Sequence, residues 1–239
     1  MTEEPQRRGV ASAVKRAFPV ALPVMLGYLV IGVPAGILEG TVGIAPAEAF
    51  LMSVTLYTGA GQFMIPNLVM AGQSVAAIVT SVSLVNTRQM LYSAAFAPWF
   101  NGAPKALTAL FSATVTDESF GVNVGRFDSG DWDCASATAV NILSMLAWAC
   151  ANAVGALVGD VISLPTDVAS FAMTSIFLCL MLCQDLTRAN VVAAAAAIVA
   201  TVLCKCLGLG SMAIITGAVL GVALGLVCGG DAEKGGEAA

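Results

Sequence analysis

The chain has 239 residues, of which 58% are hydrophobic and only 10% charged, against roughly a quarter charged in an ordinary soluble domain. That excludes a soluble globule. The net charge of −5, with no basic run beyond Arg7, Arg8, Lys15 and Arg16, argues against nucleic acid as a partner, and the absence of histidine removes the commonest metal ligand and general base, so neither metal nor cofactor is expected.

A membrane-spanning helix needs about 20 mostly apolar residues, so the stretch from Ala17 to Cys228 has room for seven or eight crossings. The expected fold is all-α: a polytopic integral membrane protein of about eight transmembrane helices, with at least one broken mid-membrane. Residues 1–16 form a basic segment that precedes an apolar run, as a secretory signal would. The run continues past about 20 residues, carries Pro19, Pro23 and Pro34 and lacks a small-x-small cleavage site, so it reads as a retained first span.

Breaks at charge, Gly and Pro put spans near Ala17 to Leu38, Ala47 to Ala71 and Ser74 to Phe100, then Ala106 to Val124, Ser136 to Val158 and Val168 to Asp185. The last two run from Ala189 to Leu207 and from Met212 to Cys228. The polar connection from Arg126 to Cys134 divides a transporter domain over 17–229 into halves, 17–126 and 134–229, and 230–239 is a tail. Seven spans remain open, because adjacent Asp117 and Glu118 would make the fourth tilted or re-entrant.

Cytoplasmic loops hold an excess of Lys and Arg. Eight spans with the amino terminus inside put Arg7, Arg8, Lys15, Arg16, Arg126, Arg188 and Lys234 on the inner side, and Lys105, Lys205 and the acidic residues Glu39, Glu48, Asp160 and Asp167 on the outer side. Both termini are then cytoplasmic. Six of the seven cysteines (Cys150, Cys179, Cys183, Cys204, Cys206 and Cys228) lie within or at the edges of spans, where thiols pack as small hydrophobes and imply no disulfide framework.

Small residues recur on several spans: Gly32, Gly36 and Gly40 on the first, Gly155 and Gly159 on the fifth, and Gly217, Gly221, Gly225 and Gly229 on the last. Such stripes let helix backbones approach closely. Internal packing is the plainer reading, and contact with another subunit or a second copy of the chain is the alternative.

Polar clusters within spans carry the functional expectation, because irregular backbone in a membrane survives only where protein or a water-filled cavity covers it. In the second span, Tyr57-Thr58-Gly59-Ala60-Gly61-Gln62-Phe63, followed by Pro66 and Asn67, predicts a helix break. Its half-helix ends suit the carboxylate and ammonium of an amino acid; a glycine-rich helix that merely packs tightly is the plainer alternative. In the third span, Asn86-Thr87-Arg88-Gln89 lies too deep for Arg88 to reach either surface, so it needs a partner.

Asp117 or Glu118 is the leading candidate for that partner. The pair would either fix helix register or bind substrate and a coupling proton. Phe63, Met64 and Met90 would line a pocket for an aliphatic side chain. With no histidine, protons would ride on Asp117, Glu118 or, more weakly, Asp185. Asn141 and Asn152 read as helix-to-helix hydrogen bonds.

These segments, in this order and spacing, together with Pro19, Pro23, Gly32, Pro34 and Gly36 of the first span, resemble the AzlC family over roughly residues 15 to 126. The resemblance implies the large subunit of a bacterial branched-chain amino acid exporter in the cytoplasmic (inner) membrane. It also implies efflux of leucine, isoleucine, valine and sometimes methionine, with a small hydrophobic AzlD-type subunit as partner. Gln89 stands where family members often have histidine.

On this reading the substrate-binding candidates are Tyr57, Thr58, Gly59, Gly61, Gln62, Asn86 and Arg88, with Asp117 and Glu118 as coupling or ion-pair residues. No Walker A sequence is present, so a proton gradient is the default energy source. The rivals are an uptake permease for another small organic solute and a non-transporting membrane subunit. An enzyme built on Asp117 and Glu118 lacks histidine, a serine elbow and a metal-ligand cluster.

Overall fold

The computed structural model describes residues 10–159, 187–207, Phe171, Ser175 and Leu178, and helical positions within 216–227. Every regular element among them is helical: α1 (Val10–Thr41), α2 (Pro46–Thr55), α3 (Gly59–Met70), α4 (Val75–Ala95), α5 (Lys105–Thr114), α6 (Asp117–Asp128), α7 (Cys134–Gly159) and α8 (Arg188–Cys206). The helices α1 and α7 are each long and apolar enough to cross a membrane. Most of the expected sixth span, apart from Phe171, Ser175 and Leu178, the carboxyl-terminal tail, Asp185 and Gly229 lie outside the described residues.

The helices form two compact units. The first holds α1 to α3, the part of α4 from Val85, and α5 to α7. Its frame is the crossing of α1 on α7. A Cβ added at Gly36 would fall on the Asn152 carbonyl, and one added at Gly155 on the Val33 carbonyl and 3.0 Å from the Gly36 Cα. The two backbones therefore touch, which only glycine at both positions allows. Pro19, Pro23 and Pro34 all lie inside α1 without interrupting it.

The second and fourth expected spans are both interrupted. Between α2 and α3, Leu56 to Thr58 leave helical geometry; Thr58 is extended (φ −155°, ψ 117°) and its hydroxyl accepts the Gly61 N–H. Between α5 and α6, Thr116 is likewise extended (φ −126°, ψ 176°) and accepts the Ser119 N–H. In each case a threonine side chain takes one of the orphan amide protons of a new helix start. The fourth expected span is thus two short helices rather than one tilted helix.

At the amino-terminal end of α1, Arg16 pairs with Asp131 (2.9 Å) and Asp133 (3.0 Å), and its guanidinium lies over the Trp132 ring. Asp133 also caps α7 by accepting the Ser136 N–H (2.8 Å). Arg16 and the polar turn before α7 therefore share one end of this unit. A cluster of Phe96, Phe100, Phe111 and Phe127 packs α5 and α6 against the end of α4. Asn141 accepts from Asn123 (3.1 Å) and so joins α7 to α6 as expected, whereas Asn152 donates to Trp148 of its own helix.

In the second unit, Gly217 and Gly221 face α8: a Cβ at Gly217 would meet Thr201 and Ala197, and one at Gly221 the Ala193 carbonyl at 2.8 Å. These two glycines of the last span serve internal packing. Cys134, Cys150, Cys204 and Cys206 are free thiols.

Candidate functional site

The first unit gathers the two helix breaks and the middle of α4. Thr58 caps α3 and also donates its hydroxyl hydrogen to Asn86 Oδ1 (2.7 Å). Gln89 donates to the Tyr57 carbonyl (3.1 Å), a backbone acceptor released where α2 stops. Two α4 side chains therefore hold the first break, and a helix interruption buried in protein needs such partners.

Arg88, on the same stretch of α4, reaches the second break. Its Nη2 lies 2.9 Å from Asp117 Oδ2, with the two side chains 31% and 23% exposed. Tyr92, one turn further along α4, donates to the other Asp117 oxygen. The two adjacent acids part company here. Glu118 does not meet Arg88; it accepts from Tyr28 of α1 (2.6 Å), whose hydroxyl also bonds Thr116 (2.8 Å).

Tyr57 is buried, its ring set edge-on to Tyr28 at 6.3 Å between centroids. The Tyr57 hydroxyl and the Arg88 Nε have no hydrogen-bond partner among the described residues. The result is a cluster in which an arginine, two carboxylates and three tyrosines converge on two capped helix starts. Such starts carry partial positive charge, so this arrangement has places for both ends of a zwitterion.

Gln62 is held apart from that cluster. It is fully buried: its amide nitrogen donates to Glu39 Oε1 (3.1 Å) and Ser53 Oγ (2.8 Å), while its oxygen accepts from the Trp148 indole. Glu39, one residue beyond the end of the expected first span, is instead a fully buried residue of α1. Because it closes an apolar run, local hydropathy alone puts it outside the span. It follows Gly32 and Gly36 at helical spacing, which turns it toward α7 and α3.

Gly59 packs against the Trp148 ring. Phe63 and Met64 are buried, but Met90 is 71% exposed. Met90 lies on the face of α4 away from Arg88 and Tyr92, so it does not line the cluster. Sequence reading also missed Tyr28, Tyr92 and Trp148. No group of three or more metal-ligating side chains occurs among the described residues.

Residues 23–162 match the AzlC protein family, a segment that contains both breaks, all of α4 and both carboxylates. A membrane protein of Helicobacter pylori (strain ATCC 700392 / 26695), described as uncharacterized, is 33% identical over 196 residues, 82% of this chain and 86% of that protein. The branched-chain amino acid transport protein AzlC of Bacillus subtilis (strain 168) is 25% identical over 184 residues, 75% of this chain and 70% of its own. An uncharacterized membrane protein of Archaeoglobus fulgidus is 27% identical over 222 residues, 92% of this chain and 95% of its own. No solved structure matches.

Long apolar helices, helix starts inside apolar spans and membrane-protein relatives together make this an integral membrane protein, and with the family match covering more than half its length, the chain belongs to the AzlC family.

Proposed function

We propose that this chain is a secondary transporter that exports branched-chain and other small hydrophobic amino acids across the bacterial inner membrane, driven by the proton gradient. The observation that carries the reading is the Arg88–Asp117 ion pair where the two helix breaks meet α4. The relative in Bacillus subtilis, a branched-chain amino acid transport protein, supports the cargo.

Asp117 engages the Arg88 guanidinium. An incoming amino acid offers the same two charges: its carboxylate takes the Arg88 guanidinium, in a planar fork suited to it, and its ammonium takes the released Asp117 or Glu118. Exchanging one pair for another keeps the desolvation cost of the cluster nearly constant, so binding does not strand a charge. The Thr58 and Thr116 caps, with Gly59 and Gly61 leaving backbone amides approachable, keep the half-helix starts in place. Asn86 holds Thr58, Tyr57 contributes its free hydroxyl, and Gln62 positions the first break from behind. Phe63 and Met64 supply apolar surface for an aliphatic side chain.

Alternating access then rocks the broken helices around this site. The topology proposed with it has about eight spans and both termini cytoplasmic, and a small hydrophobic AzlD-type subunit completes the exporter.

The test is efflux of labelled leucine, isoleucine, valine and methionine from proteoliposomes under an imposed proton gradient, with and without the small subunit. Gradient-dependent flux of at least one is expected. No flux of any of the four under either condition would sink the exporter reading.

A further inference from the structure

Glu39 is a carboxyl group with no exposure to solvent, on a membrane-spanning helix, and nothing in the Arg88 cluster uses it. One oxygen accepts from the Gln62 amide (3.1 Å); the other, Oε2, has no partner among the described residues. Among the described residues no Lys or Arg pairs with it, the ion pairs there involving Arg16 and Arg88 only. Its bonding partner, Gln62 of α3, is neutral, and so are the two groups that share that amide, the Ser53 hydroxyl of α2 and the Trp148 indole of α7.

An isolated carboxylate in such a place is very costly, so the group needs either a proton or a metal cation. A cation needs several oxygen ligands. Here the amide turns its N–H end toward Glu39, because the indole, a donor only, takes the amide oxygen. That leaves the proton.

We infer that Glu39 is the coupling-proton site of the transport cycle, linked to the first helix break through Gln62. Gln62 lies one turn into α3, three residues past Gly59 where that helix starts. Loss of the Glu39 proton makes the bond it accepts from the Gln62 N–H charge-assisted and stronger, and so biases the helix whose start the substrate uses. Glu39 and Arg16 stand toward opposite ends of α1, roughly 35 Å apart at 1.5 Å per residue. With Arg16 cytoplasmic, Glu39 lies toward the outer side, from which an inward-directed gradient supplies protons. The inference rests on the transporter reading above and adds to it the residue that carries the proton.

Glu39→Gln keeps the volume and the acceptor for Gln62 but fixes the side chain as neutral, and Glu39→Asp keeps a titratable group. In proteoliposomes of the full chain, leucine counterflow, which needs no net proton movement, is expected to survive in Glu39→Gln. Accumulation driven by a proton gradient is expected to be lost, and Glu39→Asp to restore part of it. In infrared spectra of the protein in lipid nanodiscs, a protonated-carboxyl band that titrates with pH should be present in the wild type and missing in Glu39→Gln.

Undiminished gradient-driven accumulation in Glu39→Gln, or no infrared band lost with that substitution, overturns the Glu39 inference while leaving the transporter reading intact. Absence of counterflow in the wild type overturns the transporter reading, and the coupling role falls with it.

Discussion

Trp148 donates its indole N–H to the amide oxygen of Gln62, and this one bond decides which end of the amide faces Glu39. An indole cannot accept, so the amide nitrogen is turned to Ser53 and Glu39. Trp148→Phe would leave the amide oxygen of a fully buried glutamine unpaired. We expect a loss of about 1–3 kcal/mol in stability, read as a lower thermal-unfolding midpoint in detergent, with Trp148→Tyr no better because its hydroxyl cannot reproduce the indole geometry.

The α1–α7 crossing makes a prediction about size alone. Gly36→Ala or Gly155→Ala would drive a methyl group into a backbone carbonyl of the facing helix, and neither partner can retreat without separating the helices. A loss of about 1–3 kcal/mol or more is expected from such overpacking, seen as reduced membrane yield and a lower unfolding midpoint. Gly121→Ala, where an added Cβ meets nothing within 4 Å, should be neutral or slightly stabilising, since alanine is the better helix former.

The caps at the two breaks can be separated from bulk by Thr58→Val and Thr116→Val. Each variant keeps the shape and removes the oxygen that accepts the Gly61 or Ser119 N–H. A cap loss costs about 1 kcal/mol, and Thr58→Val should cost more than Thr58→Ser because Asn86 also loses its donor. Thermal unfolding of the four single variants, including Thr116→Ser, checks the ordering.

Much of this site was legible because charge in a membrane is conspicuous. Arg88 lies too deep to reach water, and the nearest acids in sequence were adjacent; the Asp117 contact follows from that need. The first break was legible from glycines beside polar residues. The Asp117–Glu118 pair marked the second only as an irregularity, because a threonine cap one residue earlier also occurs at ordinary helix starts.

Glu39, Tyr28, Tyr92 and Trp148 were not legible, for a different reason. Their partners lie on helices distant in sequence, and local hydropathy makes an acid at the end of an apolar run look like a loop. The helical spacing of Glu39 from Gly32 and Gly36 was the available signal that it faces protein. Met90 shows the converse: an apolar residue beside Arg88 in sequence is on the opposite face of the helix in space.

The Arg88–Asp117 pair is not fully enclosed by protein, so its contribution to stability is modest. Arg88→Ala is expected to destabilise by about 2 kcal/mol, by leaving Asp117 without its cation. The double variant Arg88→Ala with Asp117→Ala should recover much of that loss, because no charge is left stranded. Unfolding midpoints of the two single variants and the double variant complete the cycle.

The central claim, that this pair holds the amino acid rather than merely bracing two helices, is tested most directly by gradient-driven leucine efflux from proteoliposomes containing the wild type or that double variant. The account predicts efflux by the wild type and none by the double variant, at matched folding and membrane insertion. Efflux by the double variant at the wild-type rate would contradict it.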